Sequence, residues 1–531
     1  LEIHSTTCAH PCDLEPIAKW KCAKLIDKGV TDHKAISCKK GVFVEAFKLP
    51  FNRVGPPTVF TSCSGNEIAG FRNRYLKPTE PLRLKKDVLN TAINDFLEII
   101  TPHFDSKIAY EDFLNAKHGQ LGQRYLRATK QLLEKGFDVR RDSKVTPFVK
   151  KEKIFDDTKP PRLVYARDPI FNILYALYTV PLEHALVKLP QVAKGCNFLE
   201  RGEKFSRLLG SWLCENDYSK FESTQRVQLY DMIQNRIFRH FYGNDAHLFK
   251  LLEAKLHKRG TTLRGVMFEF FGMMGSGEMD TGLFNTIFNW IACRYFEIVN
   301  GLGKGEFLVD GDDGVIKVPV GCVPINCFSD FGFTAKLIVR PDYHDVEFCS
   351  SKFMQVSPGV YYQVQDLTKL LASIPYMINE EFIPHLDTYY SSLGFMYDVI
   401  YHDIPVYSDM AKFLQTCNIN NRRVCTTMTQ KATYGASEAF SHGKQGFVVD
   451  KDLCLIELSL LFNLGLSEID YMRSWFNTHS LLFPSQNSLP YKLRQRKMLS
   501  HKNFRFEDLE SVDFVGNIGK RPAGYRDNSS C

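Results

Sequence analysis

Long hydrophobic runs are missing from this chain. No stretch approaches the ~18 apolar residues that a membrane span needs. The longest candidate, LCLIELSLLFNLGL at 453–466, is shorter and carries Glu457. A paired cysteine framework is missing as well. The 15 cysteines are odd in number and scattered, and no secretory signal opens the chain, so they read as free thiols of a reducing cytosolic compartment. Cys8, His10, Cys12 and Cys22 invite a zinc reading, but there is no Cys-x-x-Cys and no matching second pair, and thiols without metal are the expectation. Neither charge sign dominates: 67 Lys+Arg against 60 Asp+Glu leaves +7, which suits a polyanionic partner without requiring one. Neither GLGKGEF (301–307) nor SHGKQG (441–446) has the Gly-Lys-Ser/Thr of a phosphate loop, which excludes an NTPase or helicase of that kind. Internal repeats and long low-complexity segments are also absent. The chain opens at Leu1 rather than Met, as a processed product would.

What is present centres on FLVDGDDGVIKV, residues 307–318. Phe307, Leu308 and Val309 form an apolar entry strand, and Val315 to Val318 form an alternating exit strand. The turn between them holds Asp310, Gly311, Asp312, Asp313 and Gly314. Adjacent carboxylates at one end of a sheet offer hard oxygen ligands suited to Mg²⁺ or Mn²⁺. Alone, an acidic hairpin turn is usually only a solvated turn.

Upstream, Val88, Leu89, Ala92, Ile93, Phe96, Leu97 and Ile100 predict an amphipathic helix over 84–100. A loop KHGQLGQR at 117–124 precedes a second helix through about 125–133. Between 140 and 167 lie nine Lys/Arg, among them Lys150, Lys153, Arg162 and Arg167, against four acids. Strand-like pieces at 146–153 and 161–167 predict a basic hairpin, fitted to a triphosphate or phosphodiester backbone, or else merely solvated. A buried strand then ends in Asp217, with Glu222 five positions on at the turn into a helix striped by Tyr230, Ile233, Ile237 and Phe241. A glycine-rich loop leads into a helix with Ser276, Gly277, Thr281 and Asn285, the last two on one face; either a bound substrate or an internal hydrogen-bond network would satisfy them. Past the acidic turn, FSDFGFTAKLIV (328–339) predicts a helix end, a glycine break and a strand carrying Lys336. DVEFCSSKFMQV (345–356) predicts a strand, a turn and a strand, and LLASIPYMI (370–378) and DKDLCLIELSLLFNLG (450–465) predict packed helices. Beyond Pro484 the tail turns basic, with KLRQRK at 492–497.

The basic hairpin, Asp217-x4-Glu222, Ser276-Gly277-x3-Thr281-x3-Asn285, Gly311-Asp312-Asp313, Lys336 and the Glu347–Ser350 hairpin follow one another in that order. This succession, over about residues 115–356, resembles the motifs of viral RNA-dependent RNA polymerases of positive-strand viruses. FVKKEK…PRLVYARDP together with VEFCSSK looks most like the tombusvirus- and nodavirus-like group. The resemblance implies an α+β right-hand fold: an N-terminal region and fingers over 1–165, a palm with an antiparallel sheet over 166–356, and a helical thumb with the basic tail over 357–531. It implies RNA-directed RNA synthesis from rNTPs, with Asp217, Asp312 and Asp313 holding two Mg²⁺ ions (Mn²⁺ substituting). One ion would activate the primer 3′-hydroxyl and the other would steady the pyrophosphate. Lys336 is placed like the family's general acid. Lys150, Lys153, Arg162 and Arg167 would receive the triphosphate. Glu222, Ser276, Gly277, Thr281 and Asn285 would read the ribose, with Glu222 standing where the common pattern has Asp. The implied partners are a single-stranded RNA template, the nascent duplex, rNTPs and other viral replication proteins. The implied place is the host cytoplasm, at membrane-associated sites reached through other factors.

Two rival readings stand beside it. A reverse transcriptase is disfavoured by the lack of a Tyr-x-Asp-Asp turn and of a bulky aromatic at position 222. A catalytically silent RNA-binding scaffold is disfavoured by the presence of all three carboxylates and Lys336.

Overall fold

The alternation read at 307–318 becomes two neighbouring strands, one inner and one at the edge, of a sheet covered on both faces. In the computed structural model, which describes residues 2–8, 30–32, 41–52, 54–74, 80–106, 108, 110–115, 117, 119–418 and 447–483, four antiparallel strands lie in the order Ala335–Arg340, Trp212–Tyr218, Asp313–Val318, Phe307–Asp310. Successive side chains on a strand point to opposite faces, and the packing follows that rule. Cys214, Phe307, Val309, Ile316 and Val318 face one core with the helices Lys86–Ile100, Pro169–Leu186 and Thr281–Asn300. Leu213, Leu308 and Val315 face another with Phe205, Val346, Phe348 and Phe353. Both faces are therefore dry, and polar groups concentrate at the sheet's end, where the acidic turn projects.

A five-stranded sheet runs in the order Val30–Asp32, Met267–Phe271, His257–Thr261, Val145–Val149, Leu163–Arg167. Its last two strands are the expected basic hairpin, paired antiparallel from Val145↔Arg167 to Val149↔Leu163. At the C-terminal side, helices Leu386–Ile400, Tyr407–Gln415, Lys451–Phe462 and Leu466–Thr478 share a core with the ribbon of Ser351–Ser357 and Val360–Gln365. Val44, Ala46 and Leu49 join this same core, and the strand Val42–Glu45 pairs with Tyr376–Met377. Early chain is thus built into the C-terminal unit. The whole is an α+β fold.

Several local expectations are corrected. Residues 119–124 are not a loop, because the second helix spans Gly119–Lys135. Two glycines cost about 1 kcal/mol each in a helix, and packing of Tyr125, Ala128 and Leu132 against Phe113, Ile170 and Ile173 offsets that. The Glu347–Ser350 hairpin shrinks to a single Phe348↔Ser351 bridge; Cys349 and Ser350 both take a φ of 54°, and the following strand pairs with Val360–Gln365 instead. The helix expected over 370–378 is Leu367–Ser373 and stops short of Pro375, after which Tyr376–Met377 is a strand. Cys8 lies 3.4 Å from Cys63, sulfur to sulfur, and among the described cysteines none is in a disulfide. His10, Cys12 and Cys22 lie outside the described residues, as do SHGKQG and the basic tail. Among the described residues no helix is long and apolar enough to cross a membrane.

Candidate active site

The acidic turn is a two-residue loop: Asp310 and Asp313 pair across the ladder, leaving Gly311 and Asp312 at the tip. Gly311 takes a φ of 61°, the conformation glycine adopts without strain at the first position of such a turn. Gly314 is fixed by crowding, since a Cβ there would stand 2.2 Å from Asn216 Oδ1. The helix Thr281–Asn300 holds the turn from beneath. Thr286 Oγ1 accepts the Gly311 N–H at 2.9 Å, and Asn289 Nδ2 donates to the Gly311 and Asp313 carbonyls at 3.2 and 2.9 Å. Asn289 Oδ1 accepts from Asn216 Nδ2 at 2.8 Å and from Tyr218 OH at 3.2 Å. Thr286 and Asn289 are fully buried. Their sequence signal is a polar pair at i, i+3 inside an otherwise apolar helix run, distinct from the Thr281–Asn285 pair.

Asp217 sits at the exposed end of its strand. Lys336 is its partner on one side of the ladder. On the other side the register pairs Val315 with Glu215, and carried two residues further it sets Asp313 opposite Asp217. Lys336, Asp217 and Asp313 therefore stand in a row across three strands, on one face of the sheet.

The electrostatics of this end are those of crowded carboxylates. Asp312 is exposed as a residue at the turn tip, while the protein around its carboxyl still removes part of its solvation. Burial, then the charge of Glu222, pushes its carboxyl up to about 6, with Arg74 opposing. Burial and the charges of Asp312 and Asp310 push Asp313 up to about 7, against hydrogen bonds from Cys349. Arg201 relieves part of the load, its guanidinium 2.6 Å from Asp310 Oδ2. Clustered hard oxygens whose ionisation is resisted by burial and by one another's charge form a donor set fitted to a divalent cation of the Mg²⁺ class. The three carboxylates do not close around a common point. Among the described residues, the one group of His, Cys, Asp or Glu whose ligand atoms all lie within 4.8 Å is Glu2, His4 and Glu45. That group could coordinate one metal ion, although Lys48 Nζ already stands 3.1 and 3.9 Å from its two carboxylates.

Glu222 is met by Arg74, the last residue of the helix Ser64–Arg74, at 2.8 Å. Arg162 forks onto Glu152, with Nε–Oε1 at 2.6 Å; its charged form is favoured first by Glu152 and further by Glu222 and Asp312. Glu222, Asp312, Arg74 and Arg162 therefore share one electrostatic neighbourhood. Lys150 lies 3.2 Å from Glu152, and Lys153 Nζ donates to the Ser373 carbonyl at 2.5 Å. The Ser276 carbonyl accepts the Tyr165 N–H at 2.8 Å, and Gly277 packs on Val164, so this loop lies along the Leu163–Arg167 strand. Thr281 Oγ1 donates to the Gly275 carbonyl at 2.7 Å. Asn285 is 4% exposed and takes a 2.7 Å bond from Gln225 Nε2, so an internal partner satisfies it. Arg167 stands apart from the other cations. It is 3% exposed and locked onto Glu278 and the Ser143 and Lys255 carbonyls, so its guanidinium is enclosed rather than presented to a triphosphate.

The chain is similar to several viral RNA-directed RNA polymerases. The chain is 29% identical over 301 residues to the RNA-directed RNA polymerase of Groundnut rosette virus (strain MC1), covering 51% of this chain and 35% of that protein. It is 28% identical over 265 residues to that of Pothos latent virus, covering 44% and 35%. It is 24% identical over 360 residues to that of Maize chlorotic mottle virus, covering 62% and 34%. These alignments span about a third of each relative's length. Residues 71–454 match the family described as viral RNA dependent RNA polymerase, and the chain belongs to that family.

Proposed function

We propose that this chain is an RNA-directed RNA polymerase of the tombusvirus- and nodavirus-like group, copying a viral RNA template from rNTPs in a right-hand fold. In this reading the sheet that carries the acidic turn is the palm, within 166–356; the basic hairpin belongs to the fingers, and the helices after 357 form the thumb. The carrying observation is the row of Lys336, Asp217 and Asp313 across the sheet end, with Asp312 at the adjoining tip. Asp217, Asp312 and Asp313 would hold two Mg²⁺ ions, which when bound supply a more acidic primer 3′-hydroxyl and neutralisation of the triphosphate. The chain's own residues do the rest. Arg162, with Lys150 and Lys153, presents cations to the triphosphate. Ser276, Gly277 and Thr281 line the sugar side together with Glu222, while Asn285 braces that helix from within. Lys336 holds a proton beside Asp217, where the leaving pyrophosphate would take it. The working place is the host cytoplasm, at membrane-associated sites reached through other replication proteins.

The deciding experiment is labelled-nucleotide incorporation with Mg²⁺ on single-stranded RNA and on matched DNA templates, beside Asp312→Ala. Activity with rNTPs on RNA, lost in the variant, is the expected result. Preference for the DNA template would point to a reverse transcriptase, and tight RNA binding with no synthesis under any metal or primer condition would leave a silent scaffold.

A further inference from the structure

The loop expected to read the sugar is anchored by buried charges that the chemistry above does not use. Glu278 follows Ser276 and Gly277 directly, and its side chain is 2% exposed. Its Oε1 takes the Arg167 guanidinium, with Nε at 3.0 Å. Its Oε2 lies 3.1 Å from Lys258 Nζ and accepts the Gly275 N–H at 2.8 Å. Arg167 ends the Leu163–Arg167 strand, the same strand whose Tyr165 N–H holds the Ser276 carbonyl. Lys258 is wholly enclosed and also donates to the Lys255 carbonyl at 2.9 Å. Lys255 in turn pairs with Asp280, which also accepts from Tyr175 OH at 2.8 Å just before the Thr281–Asn300 helix begins. Both ends of the loop are thereby tied to fixed elements.

Enclosing charges in this way costs several kcal/mol per ion unless the geometry returns it. Burial alone would raise the Glu278 carboxyl, but Lys258, Arg167 and Lys255 outweigh it and hold it at about 2; the carboxylate is charged at every working pH. One carboxylate thus gathers a strand cation, a second strand's cation and the loop's own backbone. Its position sets where Ser276 and Gly277 stand relative to the strand that opens just after Arg162.

We propose that Glu278 is a positioning residue for nucleotide selection: through Arg167 and Lys258 it fixes the Ser276–Gly277 loop against the strand that follows the triphosphate-binding Arg162, so that ribose discrimination and nucleotide affinity depend on a carboxylate that touches no substrate. The inference rests on the polymerase reading above and adds to it a mechanical link between the sugar-reading and triphosphate-reading parts.

The test is single-nucleotide extension of a primed RNA template with rNTP and with 2′-deoxy-NTP. Wild type is measured first; failure to extend there strikes the polymerase reading, not the clamp. With wild type active, Glu278→Gln keeps the volume and removes the charge. The expected result is a KM for rNTP raised about tenfold and a ribose preference in kcat/KM lowered about tenfold, with a smaller change in kcat. Arg167→Lys keeps the charge but loses the fork, and shifts both numbers the same way by less. A Glu278→Gln protein that melts cooperatively, with KM and ribose preference within about twofold of wild type, overturns the proposal even if its kcat falls. Should Glu278→Gln fail to fold, Arg167→Lys decides by the same two numbers.

Discussion

Asn289 joins the acidic turn to the strand of Asp217. Its Nδ2 donates to the Gly311 and Asp313 carbonyls at 3.2 and 2.9 Å, and its Oδ1 accepts from Asn216 and Tyr218. Both amide protons and both lone pairs are used, which is all an asparagine offers. No other residue type of this size supplies two donors and an acceptor in that plane.

Asn289→Ala would take a donor from two part-buried carbonyls and an acceptor from a buried phenol and a buried amide that keeps only a 3.9 Å contact to Cys293 Sγ. We expect a loss of about 2–4 kcal/mol in stability, read as a lower urea midpoint at unchanged m-value. Incorporation should fall further than the stability loss accounts for, because the turn itself is no longer held. A variant as stable and as active as wild type would show that strand pairing alone fixes the turn.

Arg74 and Glu222, 16% and 14% exposed, form a pair between the N-terminal helix and the sheet end. Removing either leaves the other charge half-buried without its counterion, and removing Arg74 also withdraws the cation that opposes the shift at Asp312. Arg74→Ala and Glu222→Ala should therefore each cost more than their share of the double variant, with a coupling of about 0.5–3 kcal/mol. Chemical denaturation of the four proteins closes the cycle. Strict additivity would mean the pair contributes nothing.

What the sequence told and what it hid divide along distance. The 307–318 hairpin, the Asp217 strand and the 86–100 helix are governed by alternation, helical period and turn chemistry within a few neighbouring residues, and all three can be read locally. The helix over 119–124 was hidden because its glycines read as breaks, whereas tertiary packing on Phe113 and Ile173 outweighs their intrinsic cost. Arg167 was hidden more deeply. Its charge resembles that of Arg162 five residues before, yet Glu278, 111 positions away, holds Arg167 in the interior while Arg162 stays half-exposed on Glu152. Arg74 is likewise defined by a partner 148 positions on. Charge can be read from sequence, but the depth at which a charge is buried depends on long-range partners.

Lys336 stands directly across the ladder from Asp217. If it delivers the proton to pyrophosphate, Lys336→Leu lowers kcat by about 10²–10⁴-fold with KM near wild type, and the solvent deuterium isotope effect on the single-turnover rate falls. If it only neutralises Asp217, the Mg²⁺ concentration for half-maximal rate shifts while the isotope effect stays. Single-turnover rates in H₂O and D₂O separate the two, and we expect the first.

Glu67 supplies a pH dependence that originates far from the acidic turn. It is fully buried on the Ser64–Arg74 helix, accepting from Thr262 Oγ1 at 2.5 Å and from the Arg264 N–H at 3.0 Å. Burial outweighs these bonds and pushes its carboxyl from 4.5 up to about 7. The folded state therefore holds this proton more tightly than the unfolded chain does. The stabilisation is complete below about pH 4.5 and is lost as pH rises through about 7. Its size is on the order of a few kcal/mol over that window. Glu67→Gln, which keeps the size and stays neutral at every pH but retains one of the two acceptor oxygens, should remove this slope: whatever its fixed offset, the stability difference between variant and wild type shifts in the variant's favour from pH 5 to pH 8 and is flat below. A difference constant with pH would place the Glu67 carboxyl in the ordinary range.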